Sequence, residues 1–128
     1  MRSPTNIDTF IAVYPPEVRV LIGAARKFVA EAFPGATETL DETARLIAYS
    51  YGPGYKGVVC TLILSRTGVK VGVVRGSELP DPKGLLEGSG KVHRHVALKS
   101  PADLERPGLK PLLKAVLAAW KARNADTA

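Results

Sequence analysis

The chain reads as an α+β protein: an antiparallel sheet of about five strands in a meander, with N-terminal and C-terminal helices packed on one of its faces. Three observations predict this. Val18, Leu21, Ile22, Ala25, Phe28, Val29 and Ala32 recur at helical spacing. Leu109, Leu112, Leu113, Val116, Leu117 and Trp120 form a second such stripe. Between them the apolar period shortens to that of short strands separated by turn residues.

Taken in order, the first element is a short helix capped by Asn6 or Asp8, with Ile7, Phe10, Ile11 and Tyr14 pointing inward. The second helix opens at Pro15-Pro16, where the missing amide hydrogens have no partner to lose, and closes at Phe33-Pro34-Gly35. Glu17, Arg19, Arg26, Lys27 and Glu31 occupy its polar side. Residues 37–40, 45–51, 58–65 and 69–74 are rich in Val, Ile, Leu, Thr and Tyr and read as successive strands. Ser65-Arg66-Thr67-Gly68 supplies a hairpin turn and residues 52–57 a looser loop, so the short connections imply a meander. After Gly76, Leu79-Pro80-Asp81-Pro82 makes a rigid connection, residues 83–87 one helical turn and residues 91–98 the last strand. Ser100-Pro101-Ala102-Asp103 opens a short helix, with a cap serine, proline at the first helical position and an acid three residues after the cap. In the last helix Lys110, Lys114, Lys121 and Arg123 lie off the apolar stripe.

At 128 residues the chain fits one domain, with its core over about residues 6–123. Folding at that size removes roughly two-thirds of the unfolded surface from water, enough for one real core. No apolar run approaches the roughly 18 residues of a membrane span, and the residues after Met1 lead into no secretory stretch, so the expected setting is the cytoplasm. The single cysteine, Cys60, lies among β-formers and reads as a reduced, buried thiol rather than a nucleophile. Residues 1–65 carry six Lys/Arg and six Asp/Glu while residues 66–128 carry twelve and six, so the whole net charge of +6 belongs to the second half. Those cations are dispersed rather than gathered in a tract, and no helix-turn-helix or aromatic ribonucleoprotein motif accompanies them, which argues against nucleic acid.

The residues most able to carry function lie between Gly88 and Lys99, a segment with both histidines, three cations and no acid. As a strand it places His93, His95 and Lys99 on one face and Val92, Arg94, Val96 and Leu98 on the other. Arg94 is the misfit on a core face. It either clasps the preceding loop, with Glu87 or Asp81 as partner, or grips a phosphate or carboxylate. Histidines two apart could chelate a metal, but no third ligand stands at motif spacing. Gly88-Ser89-Gly90-Lys91 superficially resembles a phosphate loop; Leu85 and Val92 stand where a Walker loop has glycine and Ser or Thr, which disfavours a nucleotide hydrolase. Gly88 and Gly90 then serve a turn that aims the last strand. Tyr49, Tyr51 and Tyr55 read as pocket-lining or cross-strand packing residues.

Residues 75–82, Leu85-Leu86-Glu87-Gly88-Ser89-Gly90-Lys91 and Arg94-His95-Val96-Ala97-Leu98 look like the signature of the YdhG-like family, a domain of unknown function. Ile7-Asp8, Tyr14-Pro15-Pro16 and Phe33-Pro34-Gly35 agree with it, so the resemblance spans nearly the whole chain. It implies a compact α+β domain. Most members have no assigned activity, and one branch resembles frataxins and is associated with iron delivery through acidic surface residues. Glu17, Glu31, Glu38, Asp41 and Glu42 would supply such carboxylates here. Arg94 and His95 match the family pattern, whereas His93 departs from it.

The resulting expectation is a non-enzymatic module without a cofactor or a dedicated metal site. It would bind a small anionic ligand or a protein partner, a second copy of the chain included, through Gly88, Gly90, Lys91, Arg94 and His95. The alternative is a frataxin-like iron or metal carrier. A third reading, an enzyme whose residues meet only in the fold, requires a cleft with strongly perturbed titratable groups.

Overall fold

The computed structural model describes residues 7–52, 57–75, 79, 84–88 and 94–124. Two helices come first, α1 (Ile7–Ile11) and α2 (Pro16–Ala32). The strands follow as β1 (Thr37–Asp41), β2 (Leu46–Ser50), β3 (Val58–Ser65), β4 (Gly68–Val73) and β5 (Arg94–Leu98). A 3-10 helix over Pro101–Glu105 then leads into α3 (Leu109–Asn124). The five strands pair antiparallel in chain order, so the sheet is the expected meander.

α2 starts with Pro15 as its cap and Pro16 in its first turn, and it ends where the Phe33 amide donates to the Val29 carbonyl at 3.0 Å. Gly35, in a left-handed conformation at φ +81°, turns the chain back into β1. The apolar stripe of α2, Val18, Leu21, Ile22, Ala25 and Val29, is buried, as are Leu109, Leu112, Leu113 and Val116 of α3. Both helices contact β3 of the sheet, and α2 also contacts β4. Ile47 and Tyr49 of β2, Cys60, Leu62 and Leu64 of β3, Val69, Val71 and Val73 of β4, and Val96 and Leu98 of β5 are buried in the same core. Burying an aliphatic side chain of this kind contributes about 1.5–3 kcal/mol, so the two stripes and this sheet face dominate the stability.

The alternate residues of the strands form the other face, and their register makes straight rows across the sheet. Thr39, Ala48, Thr61, Gly72 and His95 are successive cross-strand partners. Asp41, Leu46, Ile63, Lys70 and Ala97 make the neighbouring row. At the end of β2 the pairing steps from Tyr49 with Cys60 to Ser50 with Val58, a bulge that leaves Val59 unpaired and opposes Val58 to Ser50.

The sequence expectation of a helical turn over residues 83–87 differs from the structure. Residues 84–87 are not helical, and Glu87 makes an isolated antiparallel bridge to His95 with reciprocal backbone hydrogen bonds of 2.7 and 3.0 Å. Pairing along the edge of β5 outweighs the helix propensity of Leu85-Leu86-Glu87. The segment after Ser100 is 3-10 rather than α-helical. Residues 91–93 of the expected last strand, His93 among them, lie outside the described residues, as does Tyr55.

Candidate functional site

The helices cover one face of the sheet, and the opposite face carries a trough of about 520 Å³. Its floor is the row of small residues Ala48, Thr61 and Gly72. Leu46 and Ile63 from the next row rise on one side, and Val58 and Val74 on the other. Val58 lines this trough because the bulge takes it off the core parity of Cys60 and Leu62. At Gly72 an added Cβ would come into collision with Thr61 Oγ1, so the glycine keeps the floor low and lets the threonine hydroxyl lean over it. Ile63 is among the few exposed large apolar residues, at 36%.

The ends of the trough differ in the residues that line them. Arg94 and His95, both half-buried, line the β5 end, and Asp41 lines the end formed by β1 and β2. His95 pairs with Gly72 on the floor row, whereas Arg94 pairs with the buried Val73 on the core-parity row, which reaches the trough only at this end. Gly88, at φ +114°, packs beside them: a Cβ on it would lie 3.3 Å from His95 Nδ1 and 3.9 Å from Arg94 Cδ. Only a residue without a side chain adopts that backbone and that approach without strain. Three of the five sequence-expected site residues, Gly88, Arg94 and His95, therefore come together, while Gly90 and Lys91 lie outside the described residues. The segment is free of acid from Gly88 to Lys99, yet the fold supplies one: Glu87 sits directly opposite His95 in the antiparallel bridge, and paired residues project to the same face.

Strongly shifted titratable groups lie on the other side of the sheet. Arg26 of α2 donates to both oxygens of Glu38 at 2.8 and 3.0 Å and to Asp8 Oδ1 at 3.0 Å, and the Tyr49 hydroxyl donates to Glu38 Oε2 at 2.5 Å. The Arg26 guanidinium holds the Glu38 carboxyl below the usual carboxylate range, and burial, reinforced by the hydrogen bond to Glu38, pushes the Tyr49 phenol up. Burial pushes the Cys60 thiol up to about 12, so it is protonated and enclosed at neutral pH. None of these groups lines the trough. Among the described residues, no group of three or more His, Cys, Asp and Glu side chains is placed to hold a metal ion. Of the carboxylates named for an iron-carrying surface, Glu38 is engaged by Arg26 and Tyr49, and Asp41 Oδ1 accepts from the Ala44 amide at 3.0 Å.

A smaller hollow of about 200 Å³ opens between Pro34, Tyr51, Leu117, Trp120 and Lys121. Tyr51 and Trp120 stack obliquely with centroids 5.2 Å apart, and the Tyr51 hydroxyl donates to the Pro34 carbonyl at 2.9 Å, so these aromatics close the helix–sheet seam. Tyr49 and Tyr51 thus belong to the core side rather than to an aromatic site.

The sequence reading did not nominate Thr39, Ala48, Val58, Thr61, Ile63 or Gly72. A signal for part of the set exists in the alternation of Thr61 and Ile63 with Cys60, Leu62 and Leu64, and in a glycine standing inside a strand. Among the described residues no helix is long and apolar enough to cross a membrane. In comparisons with known proteins the chain matches no family model, no curated protein and no solved structure.

Proposed function

We propose that the protein is a non-enzymatic binding module that takes a small anionic ligand on the open face of its sheet, where Arg94 and His95 line the trough. The observation that carries this reading is a concavity of about 520 Å³, within the roughly 300–1,000 Å³ range of ligand sites, with Arg94 and His95 among the residues lining one end. His95, on the floor row beside Gly72, offers a ring nitrogen to a carboxylate or phosphate, and Arg94 lines the same end of the trough. Kinship with the YdhG-like family and a cytoplasmic setting are part of the same proposal, resting on the sequence features that suggested them. The iron-carrier alternative draws no support from the engaged Glu38.

Thermal denaturation with phosphate, acetate and benzoate tests the proposal. A ligand present at a hundred times its Kd would raise the midpoint by roughly 10 °C. Arg94→Gln and His95→Gln should each reduce that shift. No stabilisation by any of the three, in a protein that unfolds cooperatively, would overturn the reading.

A further inference from the structure

We infer that the outer face of α3, with the hollow beside it, docks an acidic segment of a partner protein that inserts one apolar side chain. This surface shares no residue with the lining of the trough, and failure of the anion-binding reading would leave it untouched. Cations that are dispersed in the sequence meet on this helix. Lys110, Lys114 and Lys121 are all exposed, and their spacings of four and seven residues set them in one line roughly 17 Å long. α3 contains no Asp or Glu, and among the described residues none of the three lysines has an ion-pair partner. Helix stability does not account for the row. Lys121 in the last turn complements the helix dipole, but Lys110 stands in the first turn, where a cation opposes it. A line of like charges with no acid among them favours an anionic partner.

The hollow supplies the other half of the recognition. Leu117 lies about one helical turn from both Lys114 and Lys121, and with Pro34, Tyr51, Trp120 and Lys121 it lines a space of about 200 Å³ beside the row. That is below the roughly 300–1,000 Å³ of sites for free small molecules and suits one anchoring side chain of a larger partner. Pro34 and Leu117 make part of the wall aliphatic, and the rings of Tyr51 and Trp120 are inclined at 42° to each other. Rings so inclined form no parallel slot for a nucleobase, whereas a leucine-sized side chain packs against them and the aliphatic wall. Lys121 belongs to both the hollow and the row, so an acid next to the anchor lies within its reach. The occupant is therefore a peptide with an apolar anchor and acids running along α3, rather than a nucleic-acid strand.

Trp120 is the sole tryptophan of the chain and lines the hollow, so its emission reports occupancy directly. The test is a fluorescence titration of the full chain with an acetylated peptide of one leucine followed by glutamates, about six of them to cover the row in extended form. A saturable change in Trp120 emission is expected, with affinity falling severalfold between ~50 and ~200 mM salt. Glycine in place of the leucine should weaken binding roughly tenfold, and glutamine in place of the glutamates should abolish it. Lys114→Gln and Lys121→Gln, exposed changes that leave the core untouched, should each weaken it about two- to fivefold. An unchanged Trp120 emission with the leucine peptide would overturn the inference. Equal affinity for the leucine and glycine peptides would also overturn it, by marking the lysines as a non-specific polyanion surface. Tighter binding of oligothymidylate than of the leucine peptide, with a change in Trp120 emission, would assign the surface to nucleic acid and equally contradict it.

Discussion

Tyr49 is almost completely buried, yet its hydroxyl has a carboxylate to donate to, and that pairing ties three layers together. Glu38 on β1 accepts from Arg26 of α2 and from Tyr49 of β2, so one side chain joins helix, edge strand and second strand. Tyr49→Phe leaves the Arg26 pair intact and should cost about 1 kcal/mol. Glu38→Ala leaves the buried hydroxyl and the guanidinium without that partner and should cost about 2–3 kcal/mol in urea denaturation. Because Arg26 lowers the Glu38 pKa in the folded state, its stabilisation is fully present above the unfolded carboxylate value of about 4.3 and is lost as pH falls through the folded value. Unfolding measured at pH 7 and pH 3 should therefore show a smaller difference in Glu38→Gln than in the parent protein. An unchanged difference would remove Glu38 from the account. The sequence places Tyr49 in a strand, but residues 26, 38 and 49 meet only through tertiary packing, which no local period reports.

Elements differ in how much of their form is local. The 3-10 helix over Pro101–Glu105 is signalled by Ser100-Pro101-Ala102-Asp103, and the structure shows why: Asp103 Oδ2 accepts the Lys99 amide at 2.7 Å and the Ser100 amide at 3.2 Å. Those backbone hydrogen bonds, the Lys99 amide foremost, hold the Asp103 carboxyl below its ordinary range. Asp103→Ala should lower stability by about 1 kcal/mol, read as a shift in denaturation midpoint with an unchanged slope. Residues 84–87 show the opposite case. Their composition suits a helical turn, but the backbone of Glu87 pairs with His95 and covers part of the β5 edge, a non-local contact that sequence spacing cannot register. The bulge in β3 is likewise set by pairing with β2, and it takes Val58 off the core parity of Cys60 and Leu62 to make it a wall of the trough.

At the scale of the whole molecule, the sheet has one face packed by α2 and α3 and one face open, as antiparallel sheets allow. The class, the meander and the covered face were legible because helical stripes and strand periods are strong local signals. The candidate site was legible only at its β5 end. Arg94 and His95 stand out by chemistry, and Gly88 by its place in a turn, whereas Ala48, Thr61 and Gly72 are ordinary residues until register sets them in one row. That row, which no single strand contains, extends the candidate site from one segment to a face of the sheet.

The central claim is that a small anion binds on the open face at the His95 end of the trough, and amide chemical-shift mapping during titration with phosphate and acetate tests it most directly. The predicted result is saturable perturbation at Gly72 and His95 on the open face, with the α2 core positions Ile22 and Val29 unmoved. Perturbation centred on Tyr51, Trp120 and Lys121, or none at any residue, would contradict it.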